Sequence, residues 1–215
     1  MFSGLCLLIC LFMLFIYLYL PLNKHLNLET MANKTSKRLD FSTALAKGNE
    51  LVLKDNQIGL FILIALNTGM RCGDILKLNK SNFFKEGSRF FVRFKAQKTK
   101  KDAVRPISET VYKEVNKAGN DIVFYNFKYG CPYSAMWVNR NLKIIFKAEH
   151  IKAKQQGLNI SAHSLRKSAG LQVYEGSGLE TARDFLQHTS YDVTKAYLNV
   201  TTTELNEKLS RVFGF

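Results

Sequence analysis

Proline is scarce in this chain, at three residues in 215, and the thirteen glycines follow no period. Collagen-like and proline-rich low-complexity structures are therefore excluded. Cysteine is equally thin: Cys6 and Cys10 lie in an apolar run, and Cys72 and Cys131 stand alone. With no C-x-x-C pair there is no disulfide framework, and a reducing interior is the default. The four histidines, His25, His150, His163 and His188, lack local metal-ligand spacing, so neither a structural zinc site nor any other metal site is expected. Acidic residues are outnumbered, 17 Asp+Glu against 31 Lys+Arg, for a net charge of +14. Aromatics at 12% and a hydrophobic set of 47% are too abundant for a disordered chain. The length suits one domain, or one domain with an appendage.

The charge is uneven. No charged residue precedes Lys24, so the whole excess lies downstream. A basic balance of this size on a folded region points to a polyanion, nucleic acid first and an anionic membrane surface second. Leu5 to Leu20 is a run of sixteen apolar residues, long enough as a helix to cross most of a ~30 Å hydrocarbon core. It has no basic n-region and no small-x-small site, so it is a poor signal peptide. Residues 1–22 read either as a membrane anchor, with Lys24, Lys34, Lys37 and Arg38 keeping the rest cytoplasmic, or as an upstream extension ahead of a start at Met31. Residues 23–39 read as a basic linker, and residues 40–215 as one domain.

Within that domain a short amphipathic piece lies around Phe41–Val52, and Gln57–Thr68 is apolar nearly all round, as a core helix would be. Gly69 is placed to end it, and a helical turn follows at Asp74–Leu78. Phe90–Lys95 and Val104–Ile107 alternate as strands, with Pro106 marking an edge. Ser108 caps a helix to about Ala118. A long helix is expected over Tyr133–Gln155, and from Ser161 onward only helices, at about 163–175 (closed by Gly176), 179–187, 191–199 and 202–213. The class expected is α+β, mainly helical, with a small antiparallel sheet.

Four pieces carry chemistry, and each also has an ordinary structural reading. His163-Ser-Leu-Arg166 puts an imidazole and a guanidinium on one helix face, and the guanidinium fork suits phosphate oxygens; many solvated helices spell the same pattern. Thr68-Gly-Met-Arg71-Cys-Gly-Asp74 holds Arg71 near the core with Asp74 able to orient it, or is a buried structural pair. Lys98, in Gln97-Lys98-Thr99-Lys100-Lys101, is either a proton donor to a leaving oxygen or part of a solvated charge run. Leu186-Gln187-His188 precedes Tyr197 by nine residues; a phenol of pKa ~10 is a poor nucleophile unless activated, and a lone tyrosine is usually packing.

In this order and at these separations the pieces resemble the tyrosine recombinase, or phage integrase, family, whose set is Arg, Lys, His-x-x-Arg, a second His or Trp, and Tyr. The match is Arg71, Lys98, His163, Arg166, His188 and Tyr197. The resemblance covers roughly residues 40–215. Most members carry L-G-H where this chain has L-Q-H, and most have a helical core-binding domain upstream, for which at most about forty soluble residues are available here. The resemblance implies the DNA breaking-rejoining catalytic fold and phosphoryl transfer without metal or cofactor. Tyr197 would form a 3′-phosphotyrosyl link, Arg71 and Arg166 would neutralise the equatorial oxygens, and Lys98 would protonate the leaving 5′-oxygen. His163 would act as general base, His188 would hydrogen-bond the phosphoryl group, and Asp74 would orient Arg71. Arg93, Lys95, Lys100, Lys101 and Lys167 would contact double-stranded DNA. The tail 202–215 would dock in trans in a homotetramer on DNA, and the protein would sit with the nucleoid in the cytoplasm. The competing readings are a truncated integrase relic that binds duplex DNA without recombining it, a topoisomerase-like enzyme of the same chemistry, and a membrane protein whose basic face meets anionic lipid.

Overall fold

A computed structural model describes residues 35–200 and Ser210. The apolar segment 1–22, most of the linker and nearly all of the tail 202–215 lie outside the described residues. The described chain after Thr35 belongs to one unit, residues 36–215.

Helix α1 (Phe41–Val52) starts at Asp40, whose carboxylate accepts the Thr43 N–H at 2.7 Å. Helix α2 (Gln57–Thr68) starts at Asn56 and is buried along almost its whole length, from Ile58 through Leu66. A helix apolar on every side is stable only when surrounded, and α2 is surrounded. It packs against α1, against the sheet and against helices that follow later in the chain. Each fully buried Leu, Ile or Phe here contributes roughly 1.5–3 kcal/mol of burial, so α2 is the fixed reference for what surrounds it. It ends at Gly69, which is left-handed at φ +61°, and α3 (Cys72–Ile75) follows at once.

Three antiparallel strands come next, β1 (Phe83–Glu86), β2 (Arg89–Lys95) and β3 (Asp102–Ile107), with β2 central. Pro106 sits on the edge strand opposite Phe91, where its missing N–H costs no ladder bond. Val92 and Phe94 turn inward over α4 (Glu109–Lys117), which Ser108 caps and which buries Val111 and Val115. The sequence reading missed β1, because two phenylalanines followed by two charges show no alternation. It also missed the two-residue strands β4 (Tyr125–Asn126) and β5 (Cys131–Pro132).

The single helix expected over Tyr133–Gln155 is two, α5 (Ala135–Ile145) and α6 (Lys147–Gln155), broken at Phe146. Neither glycine nor proline marks the break; Phe146 is buried, and tertiary packing sets its backbone. The two helices expected at about 163–175 and 179–187 form α7 (Ala162–Phe185), with a non-helical break at Gly178, φ +83°, two residues past the expected stop at Gly176. Helix α8 (Tyr191–Leu198) closes the described chain. The linker boundary also moves. Ser36 bridges to Asn159, the Lys37 N–H donates to the Asn159 carbonyl at 2.9 Å, and buried Leu39 bonds Ser168. Residues 36–39 therefore pack as part of the domain.

The fold is α+β and mainly helical, as expected. Its sharpest local constraint is Gly69, where an added Cβ would lie 2.3 Å from Cε1 of Phe185 on an already left-handed backbone. Gly69→Ala is expected to lower unfolding stability by about 2–4 kcal/mol, read by denaturant titration; an unchanged midpoint would contradict this packing.

Candidate active site

The site is assembled around Arg166. Its side chain lies in the second turn of α7, 4% exposed, with Nη1 donating to the Gly69 carbonyl and Nη2 to the Leu186 carbonyl. Both acceptors belong to helix C-termini, where carbonyls lack helical partners and carry partial negative charge. A buried guanidinium needs such acceptors. Burial pushes its pKa down to about 10; Tyr197 opposes the fall and Arg71 adds to it. Arg166 stays cationic at neutral pH and pins the end of α2 to the end of α7.

Arg71 stands at the entry to α3, just beyond the Gly69 turn. It is half-buried, and its Nη1 is buried with no partner among the described residues. The expected bond from Asp74 is not made. The Asp74 carboxylate instead accepts the Gln97 N–H at 3.1 Å, while Gln97 Nε2 donates to the Gly73 carbonyl at 3.3 Å. Asp74 therefore holds the base of the β2–β3 hairpin. The sequence spacing pairs this carboxylate with a guanidinium three residues away; the fold gives it a backbone amide instead.

Tyr197, on α8, faces the start of α7. Its hydroxyl donates to the His163 carbonyl at 3.5 Å, and the Arg166 guanidinium and Lys167 amine stand 5.9 and 5.4 Å from its ring centre. The His188 ring meets it edge-on at 5.0 Å. Burial raises the phenol pKa, with Arg166 and Arg71 pulling the other way. His163 keeps an exposed edge, yet partial loss of water and the cations Arg166, Arg71 and Lys167 lower its pKa. His188 is pushed down to about 4 by burial first, then by Arg166, Arg71 and Lys98. Its Nδ1 lies 3.2 Å from Thr194 Oγ1, a hydroxyl that also lies 3.1 Å from the Ser190 carbonyl.

Lys98 is exposed at the hairpin tip, close enough for its charge to act on His188. Arg93, Lys95, Lys100 and Lys101 are exposed on the same hairpin, Arg93 stacking over Phe84 at 5.1 Å. Lys167 is different: it is 8% exposed and turned onto Tyr197, away from any outer face. A cleft of about 460 Å³ opens beside His188, lined by Lys101, Val104, Arg105, Asp184 and Gln187. Three of its residues and neighbours carry roles the sequence did not announce. Gln187 is left-handed at φ +50°, a conformation that favours glycine. Thr194 is fully buried, with its hydroxyl 3.2 Å from His188 Nδ1. Arg105 donates to the carbonyls of Asp184 and Phe185 at 3.0 and 3.4 Å. Among the described residues no group of side chains is arranged to hold a metal ion, and no helix is long and apolar enough to cross a membrane.

The phage integrase family model matches residues 35–204. No curated protein matches the chain. The fold is similar to that of XerH site-specific recombinase bound to difH substrate (TM-score 0.62, 21% identity, covering 83% of this chain and 55% of that one). It is also similar to the Tn1549 transposon integrase with circular intermediate DNA (0.58, 15%, 84% and 67%). A lambda integrase dimer bound to a COC′ core site matches too (0.55, 19%, 78% and 49%). The chain spans about half the length of the XerH recombinase.

The His188 environment has a thermodynamic consequence. An imidazole freed by unfolding protonates near its ordinary 6.5, the folded one only near 4. As pH falls the unfolded state takes the proton first, so stability is full above about 6.5 and declines toward 4. The midpoint of denaturant unfolding is expected to fall across this window and to fall less in His188→Gln; identical slopes would contradict the assignment.

Proposed function

The chain belongs to the phage integrase family, and from that membership we propose that it is a site-specific recombinase which breaks and rejoins duplex DNA through a 3′-phosphotyrosyl link. The observation that carries the proposal is the meeting of Tyr197 with Arg166, Lys167 and His188. No single sequence segment supplies that grouping. The solved relatives include recombinases bound to their DNA, which supports duplex DNA as the substrate here.

In the cleavage step the Tyr197 oxygen attacks phosphorus and the bond to the 5′-oxygen breaks. The phenol proton passes to His163, and the leaving 5′-oxygen takes one from Lys98. Tyr197 needs that base, since burial holds its proton on, and the depressed pKa of His163 keeps the imidazole neutral and able to accept. Arg71 offers the buried, unpartnered Nη1 to an equatorial oxygen. Arg166, already anchored, supplies a fixed positive field as charge builds there, which is usually the largest catalytic contribution. The phosphodiester energy is kept in the protein link, and a second DNA end reverses the step. Arg93, Lys95, Lys100 and Lys101 would track the backbone of the duplex, a contact that carries no sequence information. The tail 202–215 would dock onto a neighbouring subunit to build a tetramer on DNA. The protein would act where the cell's DNA lies.

The test is covalent capture. Incubated with a pool of nicked duplexes of randomised centre, the wild-type chain is expected to form a detergent-resistant protein–DNA adduct that Tyr197→Phe abolishes. DNA binding without adduct would contradict the enzyme and leave a duplex-binding relic. Truncation after Val200 is expected to preserve binding while eliminating higher assemblies on DNA, read by native mass; unchanged assembly would show that the tail is not the connector.

A further inference from the structure

We propose that Arg105 is a positioning residue that ties the Lys98 hairpin to the C-terminal end of α7 and thereby sets where Lys98 and His188 stand relative to the same phosphate. This rests on the recombinase reading above.

The hairpin is attached to the rest of the site on both of its strands. At its base on the β2 side, buried Asp74 accepts the Gln97 amide. On the β3 side Arg105 donates to the carbonyls of Asp184 and Phe185. Those carbonyls end α7, that of Asp184 also accepting the Gln187 N–H at 3.1 Å, and a cation there is favoured by hydrogen bonding and by the helix dipole. The Asp184 carboxylate is engaged by Arg183 at 2.7 Å, which leaves Arg105 to the backbone. The Arg105 guanidinium also covers the Phe185 ring at 5.6 Å, and Phe185 fills the space above Gly69.

The contact is therefore continuous. Arg105 holds Asp184 and Phe185, the next carbonyl holds Arg166, Arg166 holds Gly69, and two residues past Leu186 stands His188. Lys98 makes no hydrogen bond of its own among the described residues. The tip is closed only by Ala96 N–H to the Lys101 carbonyl at 3.0 Å and Lys100 N–H to the Ala96 carbonyl at 2.8 Å. Its reach is thus set by the clamps at the hairpin base. β3 is also an edge strand, so no further strand restrains it on the Arg105 side.

The experiment uses the full chain, the nicked-duplex pool, and the same pool with a bridging sulfur in place of the 5′-oxygen. A thiolate leaves without a proton, so the sulfur substrate bypasses Lys98. Arg105→Met is expected to slow adduct formation on the oxygen substrate by about a hundredfold and to recover most of that loss on the sulfur substrate, as Lys98→Met does, with Arg105→Lys intermediate. Wild-type rates, or an equal deficit on both substrates, would overturn the proposal. If the wild type forms no adduct on either substrate, the recombinase reading fails and amide exchange decides the tether. Faster exchange confined to Ala96, Lys100 and residues 184–188 in Arg105→Met supports it; unchanged or chain-wide acceleration overturns it.

Discussion

Arg166 is buried among apolar residues yet keeps its charge, because two helix ends turn their unpaired carbonyls toward it. Removing both carbonyls would leave a bare cation in a low-dielectric interior, at a cost of several kcal/mol. The two acceptors are far apart in sequence, one after α2 and one after α7. Through them Arg166 fixes the turn that carries Arg71 and the turn that carries His188. It also stands under Tyr197. The site is this one ion and the backbone folded around it.

What the fold gathers there is electrostatically unfavourable by itself. Arg71, Arg166 and Lys167 all depress His163, and Lys98 joins the two arginines in depressing His188. No carboxylate neutralises Arg71, since Asp74 is spent on the hairpin. The rigid core around α2 holds these like charges together, and an anion in the cleft would relieve them. Such preorganisation puts the reorganisation cost into folding rather than into the reaction. It also accounts for neutral histidines beside a phenol that burial keeps protonated, the state that the proposed base would need.

Much of this was legible from the residues. Alternation marked β2 and β3, the all-round apolarity of Gln57–Thr68 marked the central helix, and the six spaced residues marked the site. Local spacing misled at Asp74, because the partner that wins its carboxylate is an amide 23 residues on. It misled again at Phe146, where a break is imposed by burial without any turn residue. Lys167 reads as one more surface cation, yet α7 turns it inward onto Tyr197. Arg105, Gln187 and Thr194 were silent because their roles are with backbone atoms or with the conformation of the backbone itself. The glycine that the family resemblance leads one to expect at position 187 is the one clue to its left-handed turn.

The central claim is that residues from four separate elements meet on one phosphodiester. It is tested most directly by a crystal structure of the protein with a nicked duplex and vanadate, which adopts the geometry of a phosphoryl group in transfer. The account expects vanadium bonded to the Tyr197 oxygen, with the nitrogens of Arg71 and the ring of His188 on its equatorial oxygens. Vanadate seated elsewhere, or Arg71 turned away from it, would contradict the account.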